Sequence, residues 1–322
     1  MNKKFKTIAF ISLLFITTGI QAQVGKYQWK ESAEEGYTYK YVTNDPVNTR
    51  FYKLKNGLTV ILSPNNKQPR IQTYIATKAG SKTDPKDHTG LAHYLEHMLF
   101  KGTDKFGSLD WSREKPLLDQ VDNLYEKYNH TTDANERTAI YKEIDRVSGE
   151  ASKYAIPNEY DKLMSSMGSK GTNAFTSFEQ TVYVEDIPNN VIDKYLAVQS
   201  ERFRNPILRL FHTELESVYE EKNISLDNDN RKSIEAIFAA MFPNNNYGKQ
   251  TVLGSVEHLK NPSLKSIREY YQTYYVPNNM GIIMSGDFDP TEVVKRIDSA
   301  FSGMRSKPVP AYTFEKEQPI TS

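Results

Sequence analysis

Two alternating apolar runs meet at one pair of residues, and that junction constrains the fold more than any other stretch of the chain. Tyr52-Lys53-Leu54 leads to Asn56-Gly57, after which Leu58, Val60 and Leu62 alternate again. An Asn-Gly pair between alternating segments is a strong hairpin signal. A further strand is expected from about Ile71 to Ala79, ending at Gly80, and then a helix from Thr89-Gly90 to about Phe100. Strands return at Asn173–Thr176 and Thr181–Val184, followed by helices at about 189–204, 210–228, 231–241 and 263–275. Gly281-Ile282-Ile283-Met284 reads as a buried strand, and Asp287–Pro290 turns into a last helix at 291–301. Strands are grouped, with helices between them at irregular spacing and no steady β-α-β alternation. That pattern favours an α+β fold over a doubly wound sheet.

The flanks and the middle differ in character. Lys3, Lys4 and Lys6 precede an apolar run from Ile8 to Ile16, and a polar stretch then ends at Ala22-Gln23. This is the layout of a secretory signal peptide over residues 1–22, cleaved after Ala22. The run is far shorter than the roughly 20 apolar residues a membrane-spanning helix needs, so no stable span is expected after cleavage. Export, to the periplasm, is the expected destination. Residues 23–50 are polar and mixed and read as a lead-in. Within 104–165, Leu117, Leu118, Val121, Leu124, Tyr125 and Tyr128 recur at helical spacing, then Ile140, Ile144 and Val147 after a polar break. This reads as an inserted, charged helical hairpin, a packing appendage without convergent polar motifs. Residues 306–322 hold three prolines and no periodicity, and read as a linker.

Composition narrows the chemistry. The chain has 322 residues, 41 Lys and Arg against 40 Asp and Glu, and no cysteine. The balance of charge gives no reason to expect a nucleic-acid partner. Without cysteine, disulfides, iron–sulfur clusters, thiolate zinc sites, cysteine nucleophiles and a lipoprotein anchor are excluded, so any metal is held by nitrogen and oxygen.

The informative stretch is Gly90-Leu91-Ala92-His93-Tyr94-Leu95-Glu96-His97-Met98-Leu99-Phe100. On a helix, residues four apart share a face, so His93 and His97 can grip one zinc ion. Glu96 sits at the edge of that face, placed to contact a metal-held water without being a ligand. The order H-x-x-E-H is the inverzincin signature. Catalytic zinc commonly takes three protein ligands. The helix Leu210–Asp227 offers Glu214 and Glu221, seven apart on a stripe that also carries Phe211 and Val218, while Glu216 and Glu220 point elsewhere. Periodicity leaves Glu214 and Glu221 both open. A structural zinc site is disfavoured, because it needs four closed ligands and no spare base. His88 reads as a loop histidine, and His130, His212 and His258 stand apart from any ligand spacing. No phosphate-cradling loop, nucleotide fingerprint or G-x-S-x-G elbow is present.

His93-Tyr94-Leu95-Glu96-His97-Met98-Leu99-Phe100-Lys101-Gly102-Thr103 closely resembles the active-site helix of the insulinase/pitrilysin family, which includes mitochondrial processing peptidase. Gly171–Thr176 resembles that family's substrate-pairing edge strand, and Ser285–Pro290 the close of its first domain. The resemblance covers roughly residues 45–305. It implies a metallopeptidase roll, a mainly antiparallel sheet with helices packed on it, here the N-terminal catalytic domain. It further implies one zinc per chain held by His93, His97 and Glu221, with Glu214 supporting and Glu96 as general base. An extended peptide or small unfolded protein would lie along Asn173, Ala174 and Phe175 and be cleaved as by an endopeptidase. Family peptidases are built from four such domains in one chain or two. The resemblance therefore implies a second homologous half, as downstream domains or a partner chain, since the arginine and tyrosine that help bind substrate from the later half have no counterpart here. A non-catalytic or partner-dependent subunit of a two-chain peptidase is the alternative reading.

Overall fold

The computed structural model describes residues 26–314 and 316–319. The expected leader at 1–22 lies outside the described residues. The chain opens with β1 (Trp29–Glu34), β2 (Tyr37–Val42), β3 (Arg50–Lys53), β4 (Thr59–Pro64) and β5 (Arg70–Thr77). Next come α1 (Leu91–Met98), α2 (Trp111–His130), α3 (Ala134–Ser152) and α4 (Glu159–Ser166). The hairpin β6 (Lys170–Thr176) and β7 (Thr181–Pro188) precedes α5 (Ile192–Arg202), α6 (Phe211–Leu226) and α7 (Asp229–Met241). Two single turns, α8 (Asn246–Lys249) and α9 (Val256–Leu259), lead to α10 (Leu264–Tyr274), β8 (Met280–Gly286) and α11 (Pro290–Phe301).

These strands form one sheet in the order β1-β2-β3-β4-β8-β5-β7-β6. Every neighbouring pair is antiparallel except β4 and β8, which run parallel with Val60 opposite Ile282 and Leu62 opposite Met284. The fold is therefore α+β and mainly antiparallel. β8 comes from the far end of the chain yet sits between β4 and β5, in the centre, where its nearly unbroken apolar run is buried. Val60, Leu62, Ile71, Ile75, Ile282 and Met284 are fully buried, as are Val294 and Ile297 of α11, which packs against β4 and α5. Each such side chain contributes on the order of 1.5–3 kcal/mol by leaving water. The alternate residues Gln72, Tyr74 and Ala76 are only half-buried, so one sheet face carries most of the core.

The β3–β4 hairpin closes on Leu54 and Leu58, with Gly57 at φ 82° supplying the left-handed residue of a three-residue loop. Residues 23–50, expected as a lead-in, instead carry the hairpin β1–β2. Its turn, Glu35-Gly36, is left-handed at both positions (φ 47° and 86°), as a two-residue loop requires. β1 forms the sheet's outer edge and is exposed nearly throughout, so no apolar alternation marks it, whereas β2 alternates half-buried Tyr37, Tyr39 and Tyr41 with exposed Thr38 and Lys40. Aromatic and polar contacts tie the hairpin down: Trp29 meets Phe51 edge-on at 5.1 Å, Tyr39 lies 5.3 Å from Tyr52, and the Tyr37 hydroxyl donates to Asp298 at 2.9 Å.

Residues 104–165 hold α2 and α3, packed against one another, and α4 beyond them. Asp110 and Asp133 cap α2 and α3 by accepting from Arg113 and Glu136 backbone N–H. A buried pair anchors α2: Arg209 Nε and Nη2 donate to Glu114 at 2.9 and 3.1 Å, both side chains 1% exposed. Residues 306–314 and 316–319 have no regular structure, yet they are docked. Glu317 accepts from the backbone of Asn244 and Asn245 at 2.9 and 3.1 Å, and the Tyr312 hydroxyl accepts from Asn246 at 3.1 Å. Among the described residues, no helix is long and apolar enough to cross a membrane.

Candidate metal centre and active site

α1 is short and almost wholly buried: Leu91 to Glu96 and Met98 all lie inside. It starts at Gly90, left-handed at φ 88°, where a Cβ would stand 2.8 Å from the Leu253 carbonyl oxygen. No side chain at that position caps it. The buried Asp84 carboxylate does so from upstream, accepting from Gly90 and Ala92 N–H at 2.7 and 2.9 Å. Packing against β6, β7, α6 and α10 then fixes the helix's rotation, and with it the direction of its polar residues.

That rotation puts His93 and His97 together, their Nε2 atoms 3.2 Å apart. α6 crosses so that both spacing candidates face them, on different sides. Glu214 Oε1 accepts from His97 Nδ1 at 2.8 Å, the ring nitrogen turned away from His93. Glu221 lies across the Nε2 atoms, Oε2 at 3.4 Å from His93 and Oε1 at 3.8 Å from His97. Glu216 and Glu220 are exposed. Among the described residues, His93, His97 and Glu221 are the group whose donor atoms all fall within 4.8 Å of one another. Donors held tetrahedrally at about 2.0–2.1 Å from one zinc stand roughly 3.3–3.4 Å apart. The observed spacings bracket that value, so this donor set fits one such ion.

Electrostatics differ around the cluster. Burial, then the neighbouring His97, pushes the His93 imidazole down to about 3, which keeps it neutral. For His97 burial acts in the same direction, but the Glu214 hydrogen bond and the charges of Glu221, Glu214 and Glu96 outweigh it and raise its pKa. Burial would also raise Glu214. The hydrogen bonds from His97 and Lys101, whose Nζ is 2.5 Å from Oε2, prevail and lower it. Burial raises Glu96, with partial relief from the Thr176 hydroxyl, which donates to Oε2 at 2.5 Å.

Thr176 belongs to β6, which among the described residues pairs only with β7 and so ends the sheet with a free edge. Thr172, Asn173, Ala174, Phe175 and Thr176 line an open cleft of about 620 Å³ together with His93, Glu96, His97, Glu214 and Glu221. The expected substrate strand and the expected metal residues therefore share one cleft. Sequence reasoning missed Lys101, Thr176 and Arg231, which also line it. Lys101 was findable, four residues after His97. Thr176 lies in the strand stretch that the resemblance marked, but nothing local ties its hydroxyl to Glu96, and Arg231 carries no local signal. The remaining histidines are engaged elsewhere: His130 with the Glu126 carbonyl, His212 with the Tyr125 hydroxyl and His258 with Thr89, while His88 stands beside Asp87.

Comparison with known families decides the lineage. The model described as insulinase (peptidase family M16) matches residues 59–132 and 146–253, and the one described as the M16 inactive domain matches 262–322. This chain belongs to the insulinase family, M16. Residues 133–145, which these matches leave out, span the start of α3 and the turn before it. Similar curated proteins include a probable zinc protease PqqL of Haemophilus influenzae, 27% identical over 84% of this chain and 25% of that protein. A probable mitochondrial-processing peptidase subunit beta of Arabidopsis thaliana is 23% identical over 85% of this chain and 42% of its own length. Among solved structures, a protease from Helicobacter pylori superposes with a TM-score of 0.63 at 23% identity, covering 82% of this chain and 53% of that one. The first half of the periplasmic protease PqqL from Escherichia coli gives 0.62 at 19% identity, over 84% and 49%. The M16 chain described here thus spans between a quarter and about half of the length of the relatives named above.

Proposed function

We propose that this chain is the zinc-binding catalytic part of an exported metalloendopeptidase that cleaves extended peptides or small unfolded proteins. The observation that carries the reading is the cluster itself. Three donors are spaced for one ion, and a further acidic group, Glu96, lies in the same cleft outside the donor set, tied to the free-edged strand. His93, His97 and Glu221 would hold the zinc, with Glu214 supporting His97 through its Nδ1. Zinc, when bound, polarises the scissile carbonyl and brings the pKa of a coordinated water down toward neutrality. Glu96, outside the donor set, would serve as general base: its carboxylate would take a proton from the attacking water in the cleft and return one to the leaving amine. Thr176, by donating to Glu96, holds the carboxylate toward the cleft. The peptide adds to β6 along Asn173, Ala174 and Phe175, where main-chain pairing provides affinity with little demand on sequence.

Residues 1–22 serve in this reading as the export signal, 45–305 as the catalytic domain, 104–165 as its insertion, and 306–322 as the path toward further domains. The much greater length of the relatives supports a second homologous half, in cis or as a partner chain, that closes over the open cleft. Closure excludes water and positions the peptide carbonyl, which contributes several kcal/mol to barrier reduction in enzymes generally.

The test is zinc content and cleavage of a quenched fluorogenic peptide by residues 23–322, alone and with a second half supplied. We expect about one zinc per chain, with slow cleavage that rises sharply on addition. A chain that binds no zinc refutes the site, and full turnover by the chain alone refutes the need for a second half.

A further inference from the structure

We propose that Lys101 is a positioning residue for the metal centre. Through Glu214 it holds the His97 imidazole in the orientation that turns Nε2 toward His93 and Glu221. The inference rests on reading that cluster as a zinc site.

The chain of contacts is unbroken. Lys101 Nζ lies 2.5 Å from Glu214 Oε2, and Glu214 Oε1 lies 2.8 Å from His97 Nδ1. Both outer side chains are mostly buried, Lys101 at 19% and Glu214 at 13% exposure. An exposed lysine usually gives up much of an ion pair's worth to side-chain entropy and solvent screening. Here the stem starts from a fixed point. The Lys101 carbonyl accepts from Arg209 Nη1 at 2.7 Å, and Arg209 is itself locked in the buried pair with Glu114. The next residue, Gly102, is left-handed at φ 92°, where a Cβ would meet the Phe106 carbonyl oxygen at 2.4 Å. The backbone that carries Lys101 therefore has little room to shift.

His93 shows why this matters. Its Nδ1 is buried and has no hydrogen-bond partner among the described residues, so on the side away from the cluster packing alone holds that ring. Hydrogen-bonded support of the imidazole pair falls on the His97 side, on Glu214, and hence on what fixes Glu214. Without the ammonium, Oε2 loses its cation, and the carboxylate is free to turn toward the cleft water and slacken its hold on Nδ1.

A second role for Lys101 predicts the opposite sign. A lysine acting merely as a nearby positive charge would repel the ion, so its removal would tighten zinc binding. Zinc affinity is to be measured by chelator competition on the whole chain, for Lys101→Met and Lys101→Arg, each in the wild-type and Glu214→Gln backgrounds. Loss of an outer-shell partner typically costs 10–100-fold in affinity; acting one contact farther out, Lys101→Met should weaken zinc binding about threefold to tenfold. Lys101→Arg should stay close to wild type. In the Glu214→Gln background, Lys101→Met should add nothing, because the two residues act as one unit. Thermal unfolding of the zinc-free chains reports whether each variant folds, and Lys101→Gln replaces Lys101→Met if that variant does not. Unchanged or tighter binding in the lysine variant, or equal weakening in both backgrounds, overturns the proposal while leaving the zinc site standing. A wild-type chain that binds no zinc overturns the site and the proposal together.

Discussion

α1 and α6 face each other across the candidate metal centre and present their donor groups in opposite ways. On α1 every residue from Leu91 to Glu96 is buried, so His93 and His97 are aimed by the hydrophobic core itself. On α6, Phe211, Leu215 and Val218 are buried, but the side chain of Glu221 is 46% exposed, and α7 beyond it has no buried residue. The imidazole pair cannot move without disturbing close-packed apolar side chains, which is costly. The third donor is held from one side only. In the proposed function a pre-set pair and a loosely held third ligand would divide the work: the first would set where an ion sits, and the second would complete its coordination from the side open to solvent.

The largest effect should come from the α1 side without touching the donors. Glu96→Gln should keep zinc and lower the cleavage rate by about 10²–10⁴-fold in the assembled enzyme, as loss of a general base does. Metal analysis beside initial rates checks this, and release of zinc by that variant would make Glu96 a ligand. Next, Leu95→Ala removes a fully buried side chain from α1 and should cost about 2–5 kcal/mol in urea unfolding of the zinc-free chain. A cost below 1 kcal/mol would mean that the core does not set the helix's rotation.

On the α6 side the effects should be graded by contact with the cluster. Glu221→Gln should weaken zinc most, Glu214→Gln by about 10–100-fold through loss of support to His97, and Glu216→Gln not at all. Equal affinities for the Glu221 and Glu216 variants would break the assignment. The smallest effect belongs to α7. Ile237→Ala, at a position 54% exposed, should change the isolated chain's stability by no more than about 0.5 kcal/mol. A larger loss would show that α7 is not held as loosely as its exposure implies.

Much of this was legible in the order of residues, and the boundary of legibility is physical. The helix with His93, Glu96 and His97 on or beside one face follows from backbone bonds between near neighbours, so its spacing is written locally. The β3–β4 hairpin was readable for the same reason, since Asn56-Gly57 lies between two alternating runs. Spacing also narrowed the acidic candidates to Glu214 and Glu221, and resemblance pointed to Glu221. What no local pattern contains is how α6 crosses α1, and that crossing sets Glu221 against the Nε2 atoms and Glu214 against Nδ1. Nor does it contain the wedging of β8 between β4 and β5, or the edge strand β1, whose exposure along nearly its whole length leaves it no alternation. The contact of Thr176 with Glu96 and the anchoring of Lys101 by Arg209 join residues far apart in the chain. Periodicity is a property of neighbours. Which ring nitrogen a carboxylate meets depends on the packing of the whole domain, and only the tertiary structure decides it.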